Sequence, residues 1–255
     1  MQCIPLPCFQ DNYVWLIAHE GQAWVVDPGD DAVVEQALTR HGLALAGILV
    51  THHHADHVGG VTALRQRHGV DAWGPAETAS VSNRLVIPGQ CLQLVGLGDV
   101  NVLDVSSHTL GHVAFHLAMP GWLFCGDSLF SAGCGRRFEG SWADFARSLA
   151  TLSALPAGTL CFPAHEYTES NLRFAQAVEP ANPDLADAMA RCRELRAKGA
   201  PTLPVRLGDE LRINPFLRAR EPAVASAAAT FSGHAHDTRQ SVLQALRTWK
   251  DGFRG

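Results

Sequence analysis

Thr51-His52-His53-His54-Ala55-Asp56-His57 places four potential metal ligands, His52, His54, Asp56 and His57, directly after the apolar run Gly47-Ile48-Leu49-Val50. Imidazole nitrogen and carboxylate oxygen suit zinc, iron and manganese, whereas an all-oxygen cage would suit magnesium or calcium. If Val50 closes a strand, His52 and His54 lie two apart on an extended segment and project to one side. Asp56 and His57 are adjacent to each other and displaced from that pair, so they address a second position. The spacing therefore suggests two ions. The bland alternative is a His-rich surface turn that binds nothing, and this order of ligands behind a buried strand argues against it.

Two ions with mixed nitrogen and oxygen ligands need further donors and a carboxylate that spans both. Three later positions qualify. His108 follows the run Val100 to Val105, Asp127 follows Trp122-Leu123-Phe124-Cys125-Gly126, and His165 follows Leu160-Cys161-Phe162-Pro163-Ala164. All four clusters sit just after strand candidates, as expected when loops at one edge of a sheet scaffold build a site. Asp127 alone could as easily cap a turn; beside the histidines it reads as a ligand. Two such ions can share a water and lower its pKa, which generates hydroxide without a protein nucleophile. Ser128 and Cys134 lie near these clusters but lack a base of their own.

The elements that position these residues are legible in outline. Short apolar or alternating runs predict strands at Val14–Ala18, Ala23–Val26, Ile48–Val50, Cys91–Leu97, Val100–Val105, Val113–Ala118, Trp122–Cys125 and Thr159–Phe162. Helical spacing links Val33, Ala37 and Leu38, and again Val61, Leu64 and Arg65 before Gly69. Ser141 with Asp144 is a capping-box signature ahead of Phe145, Leu149 and Leu152, and Pro156 and Gly158 stop that helix. From about Asn171 helical spacing replaces the strand pattern. Asn182-Pro183-Asp184 starts one helix, with Leu185, Met189, Cys192 and Leu195 as its stripe. The Ala-rich stretch from Ala223 to Ala229 predicts another helix. The last runs from about Thr238 to Lys250, burying Val242, Leu246 and Trp249, with Arg247 and Lys250 on a neighbouring face. Asp27, in Val26-Asp27-Pro28-Gly29, reads as a turn residue first and a support for the site second.

The 255 residues are 47% hydrophobic and 18% charged, the profile of an ordinary folded chain with a sizeable core. A net charge of -5 gives no footprint for nucleic acid. Seven scattered cysteines with no CxxC pairing are expected to be reduced, mostly buried thiols in a cytoplasmic protein. Pro5, Pro7 and Asp11 fall where a signal peptide needs an unbroken apolar stretch, and no span approaches membrane length. No membrane partner is expected, and the chain is expected to be a monomer.

The HxHxDH block with the later His, Asp and His resembles the metallo-β-lactamase superfamily. Within it, the chain resembles the hydroxyacylglutathione hydrolases, or type II glyoxalases. That narrower likeness rests on Asp11-Asn12-Tyr13, Gly126-Asp127-Ser128-Leu129-Phe130, Ala132-Gly133-Cys134-Gly135, His165-Glu166-Tyr167-Thr168, Asn214-Pro215-Phe216-Leu217 and Leu246-Arg247 with Lys250-Asp251. The resemblance spans nearly the whole chain. It implies an α+β fold, a four-layer αββα metallo-β-lactamase sandwich with a smaller C-terminal helical domain. Residues 1–170 would form the catalytic domain and 171–255 the helical substrate-binding domain.

By the same resemblance His52, His54 and His108 would hold one metal and Asp56, His57 and His165 the other, with Asp127 bridging. Asp127, Asp56 and His54 are the implied catalytic residues. His53 and His112 match positions that are not ligands, and His112 is the better candidate for a supporting role. Zinc is the expected ion, with iron and manganese as alternatives. The implied reaction is hydrolysis of the thioester S-D-lactoylglutathione to D-lactate and glutathione by metal-activated hydroxide. Glutathione carries carboxylates at both ends, so its site should offer fixed cations and directional donors. The resemblance nominates Arg136, Phe138, Tyr167, Arg247 and Lys250. Arg136 stands where many members have Lys, and Phe138 where some have Tyr. Loss of one hydrogen bond to a charged ligand costs roughly 1 to 3 kcal/mol. The rival readings are a mononuclear-iron glutathione persulfide dioxygenase, a phosphodiesterase or nuclease of the same superfamily, and a non-catalytic module that metals merely staple.

Overall fold

Apolar runs that lack a polar face need cover on both sides, and in this chain they assemble into two sheets stacked face to face. The computed structural model describes residues 1–255. The first sheet takes β1 (Gln2–Cys8), β2 (Asn12–His19), β3 (Gln22–Val26), β4 (Ala44–Leu49), β5 (Ala72–Gly74) and β6 (Arg84–Leu85) in that spatial order. It is antiparallel from β1 to β3 and parallel from β3 to β6. The second holds β7 (Cys91–Leu94), β8 (Gly98–Asp104), β9 (Val113–Leu117), β10 (Trp122–Gly126), β11 (Leu160–Pro163) and β12 (Val205–Arg206), also as successive neighbours. Only its β10–β11 pair is parallel. The helices are α1 (Asp31–His41), α2 (Ala55–Val58), α3 (Val61–His68), α4 (Trp142–Ser153), α5 (Thr168–Val178), α6 (Pro183–Ala197), α7 (Leu207–Ile213), α8 (Pro222–Ser232) and α9 (Arg239–Gly252).

Strand alternation sorts the side chains into layers. In β2, Tyr13, Trp15 and Ile17 enter the core between the sheets with Phe115, Phe124 and Phe162. Val14 and Leu16 face the other way, onto Val34 and Leu38 of α1 and Leu64 of α3. On the far side of the second sheet, Leu123 and Cys125 meet Phe145 and Leu149 of α4 and Leu243 and Leu246 of α9. Helix, sheet, sheet and helix thus form the four-layer αββα sandwich, with a helical C-terminal region. No helix is long and apolar enough to cross a membrane, and all seven cysteines are free thiols.

The expected capping box forms: Ser141 Oγ accepts from the Asp144 N–H and the Asp144 carboxylate accepts from the Ser141 N–H. Asn182 caps α6 with Pro183 in its first turn. Several elements differ from expectation. The β1 strand is unannounced because Pro5 and Pro7 interrupt its pattern; it lies at the sheet edge, where outward-facing proline nitrogens cost no ladder bond. Strand β7 stops at Leu94, and Val95 to Leu97 form the turn into β8 around Gly96, whose φ is 82°. Helical structure begins at Thr168 rather than 171, and Val205–Arg206 returns to the sheet by pairing with β11. Arg247, on the face beside the buried stripe of α9, is itself buried, at 4% exposure.

Candidate metal centre

The loops leaving β4, β8, β10 and β11 carry, in turn, the Thr51 to His57 block, His108, Asp127 and His165. The two sheets are tied together at this edge. Tyr13 N–H donates to Ala164 O at 2.7 Å and Val113 N–H to Thr51 O at 3.0 Å. The block stays extended as far as His54, with φ -62° and ψ 144°. The single helical turn α2 then swings Asp56 and His57 away, which is how these adjacent residues come to face a second position.

Two groups of ligand atoms result. His52, His54 and His108 offer nitrogens lying within 4.8 Å of one another, and an Asp56 oxygen with nitrogens of His57 and His165 does the same; Asp27, His52 and His57 also lie this close, but there Asp27 is the hydrogen-bond acceptor for His57 Nδ1. Hydrogen bonds on the outer ring nitrogens assign the tautomers. His108 Nδ1 donates to the Arg136 carbonyl at 3.0 Å, leaving Nε2 with a lone pair. Thr51 Oγ1 donates to Asp27 Oδ2 at 2.7 Å, so it accepts from His52 Nδ1 at 3.0 Å, and His52 Nε2 is likewise a lone pair. Those two acceptors crowd His54 Nδ1 at 3.1 and 3.0 Å. One imidazole N–H cannot satisfy both, whereas a cation between the three nitrogens would.

The second group has the same character. His57 Nδ1 donates to Asp27 Oδ2 at 3.0 Å and His165 Nδ1 to Asp11 Oδ1 at 2.8 Å. Their Nε2 atoms face Asp127 Oδ1 at 3.4 and 3.3 Å, and Asp56 Oδ2 at 3.4 and 3.5 Å. His57 Nε2 and Asp127 Oδ1 are buried without a hydrogen-bond partner. Buried acceptors facing one another are costly unless something positive lies between them. Asp127 Oδ2 lies 3.3 Å from His108 Nε2, so the two oxygens of this carboxylate address the two groups. A nitrogen and oxygen donor set of this kind fits divalent transition-metal ions.

Electrostatics reinforce the assignment. Burial and the surrounding histidines hold His52 well below its usual pKa, and burial lowers His108 as well. Both are therefore neutral and competent to ligate. The second group differs: burial opposes a charge on His57 and His165, yet Asp127 with Asp27 raises the pKa of the first and Asp127 with Asp11 that of the second, so the carboxylates call for a positive charge here, which an ion would supply in place of the ring protons. Asp127 is held below the usual carboxylate range because His57 and His165 overcome its burial.

Supporting residues fall into place. Asp27 takes φ 52° as a turn residue would, yet it also accepts from Thr51 N–H at 2.7 Å and fixes His57. Sequence reasoning ranked that second role below the first, and it did not identify Asp11 and Asn12 as supports. Asn12 Nδ2 donates to Asp56 Oδ2 at 2.8 Å. His112, pushed down to about 3 by burial, accepts the Asp127 N–H at 3.1 Å on Nε2. His53 is exposed and joins neither group. At Gly135 a Cβ would come within 1.9 Å of the Asp127 carbonyl, so only glycine lets that loop pass.

A cavity of about 520 Å³ opens from the two groups toward α9. His54, Asp56, His108, Asp127 and His165 line its floor; Arg136, Phe138, Tyr167, Arg247 and Lys250 line its walls. Tyr167 stacks on His165, ring centroids 4.8 Å apart, and Phe138 stands edge-on to His108 at 5.1 Å. Arg247 donates to the Cys134 carbonyl at 2.9 Å and to Asp251 at 3.0 Å. Lys250 Nζ reaches the Ser170 carbonyl at 3.1 Å, and burial followed by Arg247 draws its pKa down to about 8. All five nominated binding residues thus converge on one cavity with the ligand groups. The Cys134 thiol, pushed up to about 12 by burial, is no nucleophile.

Comparison with known proteins fits this geometry. Residues 9–87 and 92–165 match the model of the metallo-beta-lactamase superfamily, and residues 166–253 match that of the hydroxyacylglutathione hydrolase C-terminus. The chain belongs to the hydroxyacylglutathione hydrolase family. A hydroxyacylglutathione hydrolase from Albidiferax ferrireducens is 50% identical over 257 residues, covering 99% of this chain and 100% of that one. Its counterpart from Hahella chejuensis is 46% identical, covering 99% of each. Among solved structures, ETHE1 from Myxococcus xanthus superposes with a TM-score of 0.68 at 24% identity, covering 96% of this chain and 90% of that one. That likeness speaks for the fold alone.

Proposed function

We propose that this member of the hydroxyacylglutathione hydrolase family uses two divalent metal ions, zinc foremost, to hydrolyse S-D-lactoylglutathione to D-lactate and glutathione. The observation that carries the reading is the pair of converging ligand groups with one buried carboxylate, Asp127, facing both. His52, His54 and His108 would hold one ion, and Asp56, His57 and His165 the other. Ions in these positions supply Lewis-acid activation of water and polarisation of a carbonyl.

The chain's own residues do the rest. Asp127 keeps the two groups in register, while Asp56 and His54, the only two of the seven that are not buried, present acceptor atoms to the cavity. Lys250, Arg136 and Arg247 offer positive charge to the glutathione carboxylates. Phe130, Phe138 and Tyr167 wall the cavity with rings, which turns the thioester toward the floor and limits water around it. Addition of water across the C–S bond releases the acid and the thiol. We assign residues 1–170 to the catalytic domain and 171–255 to the substrate-binding domain, since α9 brings Arg247 and Lys250 to the cavity. The full second group and the α9 cations favour a hydrolase over a single-iron dioxygenase.

Steady-state thioesterase assays on lactoylglutathione test this. Asp127→Ala is expected to reduce turnover to background, and Arg247→Ala to act chiefly by raising KM. Substantial turnover in the first variant overturns the metal-centre reading. An unchanged KM in the second overturns the glutathione assignment.

A further inference from the structure

Hydrogen bonds from outside steer the side chains of His52, His108, Asp56, His57 and His165, but the two groups are steered by different means. Carboxylates on imidazole edges fix His57 and His165. No carboxylate touches the rings of His52, His54 or His108 from behind; the outer partners of His52 and His108 are the Thr51 hydroxyl and the Arg136 carbonyl, and His54 has none. What holds the loops of this trio together is Glu77, a residue in no recognisable motif.

We propose that Glu77 is a positioning residue for the His52/His54/His108 group, a clamp between the loop carrying His52 and His54 and the loop carrying His108. Its Oε1 accepts from Thr109 Oγ1 at 2.6 Å and from the His53 N–H at 3.3 Å, and lies 3.2 Å from His53 Nδ1. Its Oε2 accepts from the Gly111 N–H at 2.7 Å. One carboxylate thus bonds residues between and beside the three ligands on both loops. A second observation points the same way. A Cβ at position 111 would come within 2.5 Å of Glu77 Oε2, so a side chain there would displace the carboxylate from the Gly111 N–H.

The clamp is itself braced. Glu77 sits in the short turn Ala76–Thr78 behind β5, where Thr78 Oγ1 donates to the Pro75 carbonyl at 2.8 Å and meets Ser82 Oγ at 2.9 Å. Its side chain is 17% exposed. Nothing in this arrangement touches Asp56, His57 or His165, whose partners are Asn12, Asp27 and Asp11. Loss of Glu77 should therefore loosen one ion and spare the other, a signature that general destabilisation of the fold would not produce.

This inference rests on the two-ion reading, and a metal-retention experiment separates the two. The zinc-loaded chain is titrated with a chromophoric chelator, and zinc release is counted for wild type, Glu77→Ala, Glu77→Gln and Gly111→Ala. Loss of a partner one step behind the ligands lowers metal affinity by roughly 10- to 100-fold. Glu77→Ala is expected to show that loss for one ion only, Gly111→Ala to reproduce it, and Glu77→Gln to recover part of it. Equal weakening of both ions, or of neither, overturns the clamp. If Glu77→Ala fails to fold, Thr109→Val, which removes a single bond to the clamp, is judged by the same criterion. A wild type that holds only one zinc refutes the two-ion reading; the clamp then stands if Glu77→Ala weakens that ion and falls if it does not.

Discussion

At the scale of single residues, function here turns on which nitrogen of each imidazole carries the proton. Asp27 settles that for His57, because its Oδ2 also receives the Thr51 hydroxyl and its Oδ1 the Thr51 N–H. Asp27→Asn would aim an amide N–H or a shared oxygen at donors that need a full carboxylate. Zinc affinity of the second group is expected to fall roughly 10- to 100-fold, read by the same chelator titration. An affinity equal to wild type would show that His57 keeps its tautomer unaided. The convergence of the seven proposed ligands is legible in the sequence, because each lies a few residues past an apolar run and their types match one chemistry. Asp27 and Asp11 are much less so. Val26-Asp27-Pro28-Gly29 has the composition of any turn, and only the fold reveals that His57, 30 positions away, meets it.

At the scale of elements, the loop between β10 and α4 must hold an awkward shape beside Asp127, with Ala132 at φ 53°. The helical C-terminal region secures it. Asn214 Nδ2 donates to the Gly133 carbonyl at 2.9 Å, Asn171 Nδ2 to the Ser131 carbonyl at 3.0 Å, and the Ala132 N–H to Glu210 at 2.7 Å. Glu210 is fully buried, and burial lifts its pKa to about 7 despite these donors. A carboxyl whose folded pKa lies above its ordinary 4.5 favours folding most when both states are protonated. That contribution declines as pH rises from about 4.5 through about 7, by roughly 3 kcal/mol in total. The stability of wild type minus that of Glu210→Gln is therefore expected to shrink over this interval in denaturant titrations; a constant difference would place the Glu210 pKa near normal. Capped helices such as α4 and α6 are legible because their start signals are local. One-turn α2 and proline-broken β1 are not, since tertiary pairing rather than propensity creates them.

At the scale of the whole molecule, the proposed ligands come from four strand-end loops on two different sheets. Ions held there would cross-link the sandwich. Removing them leaves buried His57 Nε2 and Asp127 Oδ1 unpaired at the junction. At free zinc near a thousand times the dissociation constant, binding contributes about 4 kcal/mol. Prolonged chelation is expected to lower Tm by on the order of 10 °C in calorimetry. An unchanged Tm would mean that the sheets hold their registry without the ions. The break in pattern near residue 171 signals a change of architecture, but not that β12 rejoins the second sheet or that α9 packs into the same apolar cluster as α4. Those contacts are long-range and leave no periodic trace.

The outermost strand of the first sheet has a further consequence for solution behaviour. Pro5 and Pro7, two positions apart, share the margin that faces away from β2. Two successive amide hydrogens are thus missing from the rim where a neighbour's chain would have to latch on. Fibrous stacking or strand-by-strand dimerisation is disfavoured along that border, a protection that the other sheet edges, β6, β7 and β12, do not share in this form.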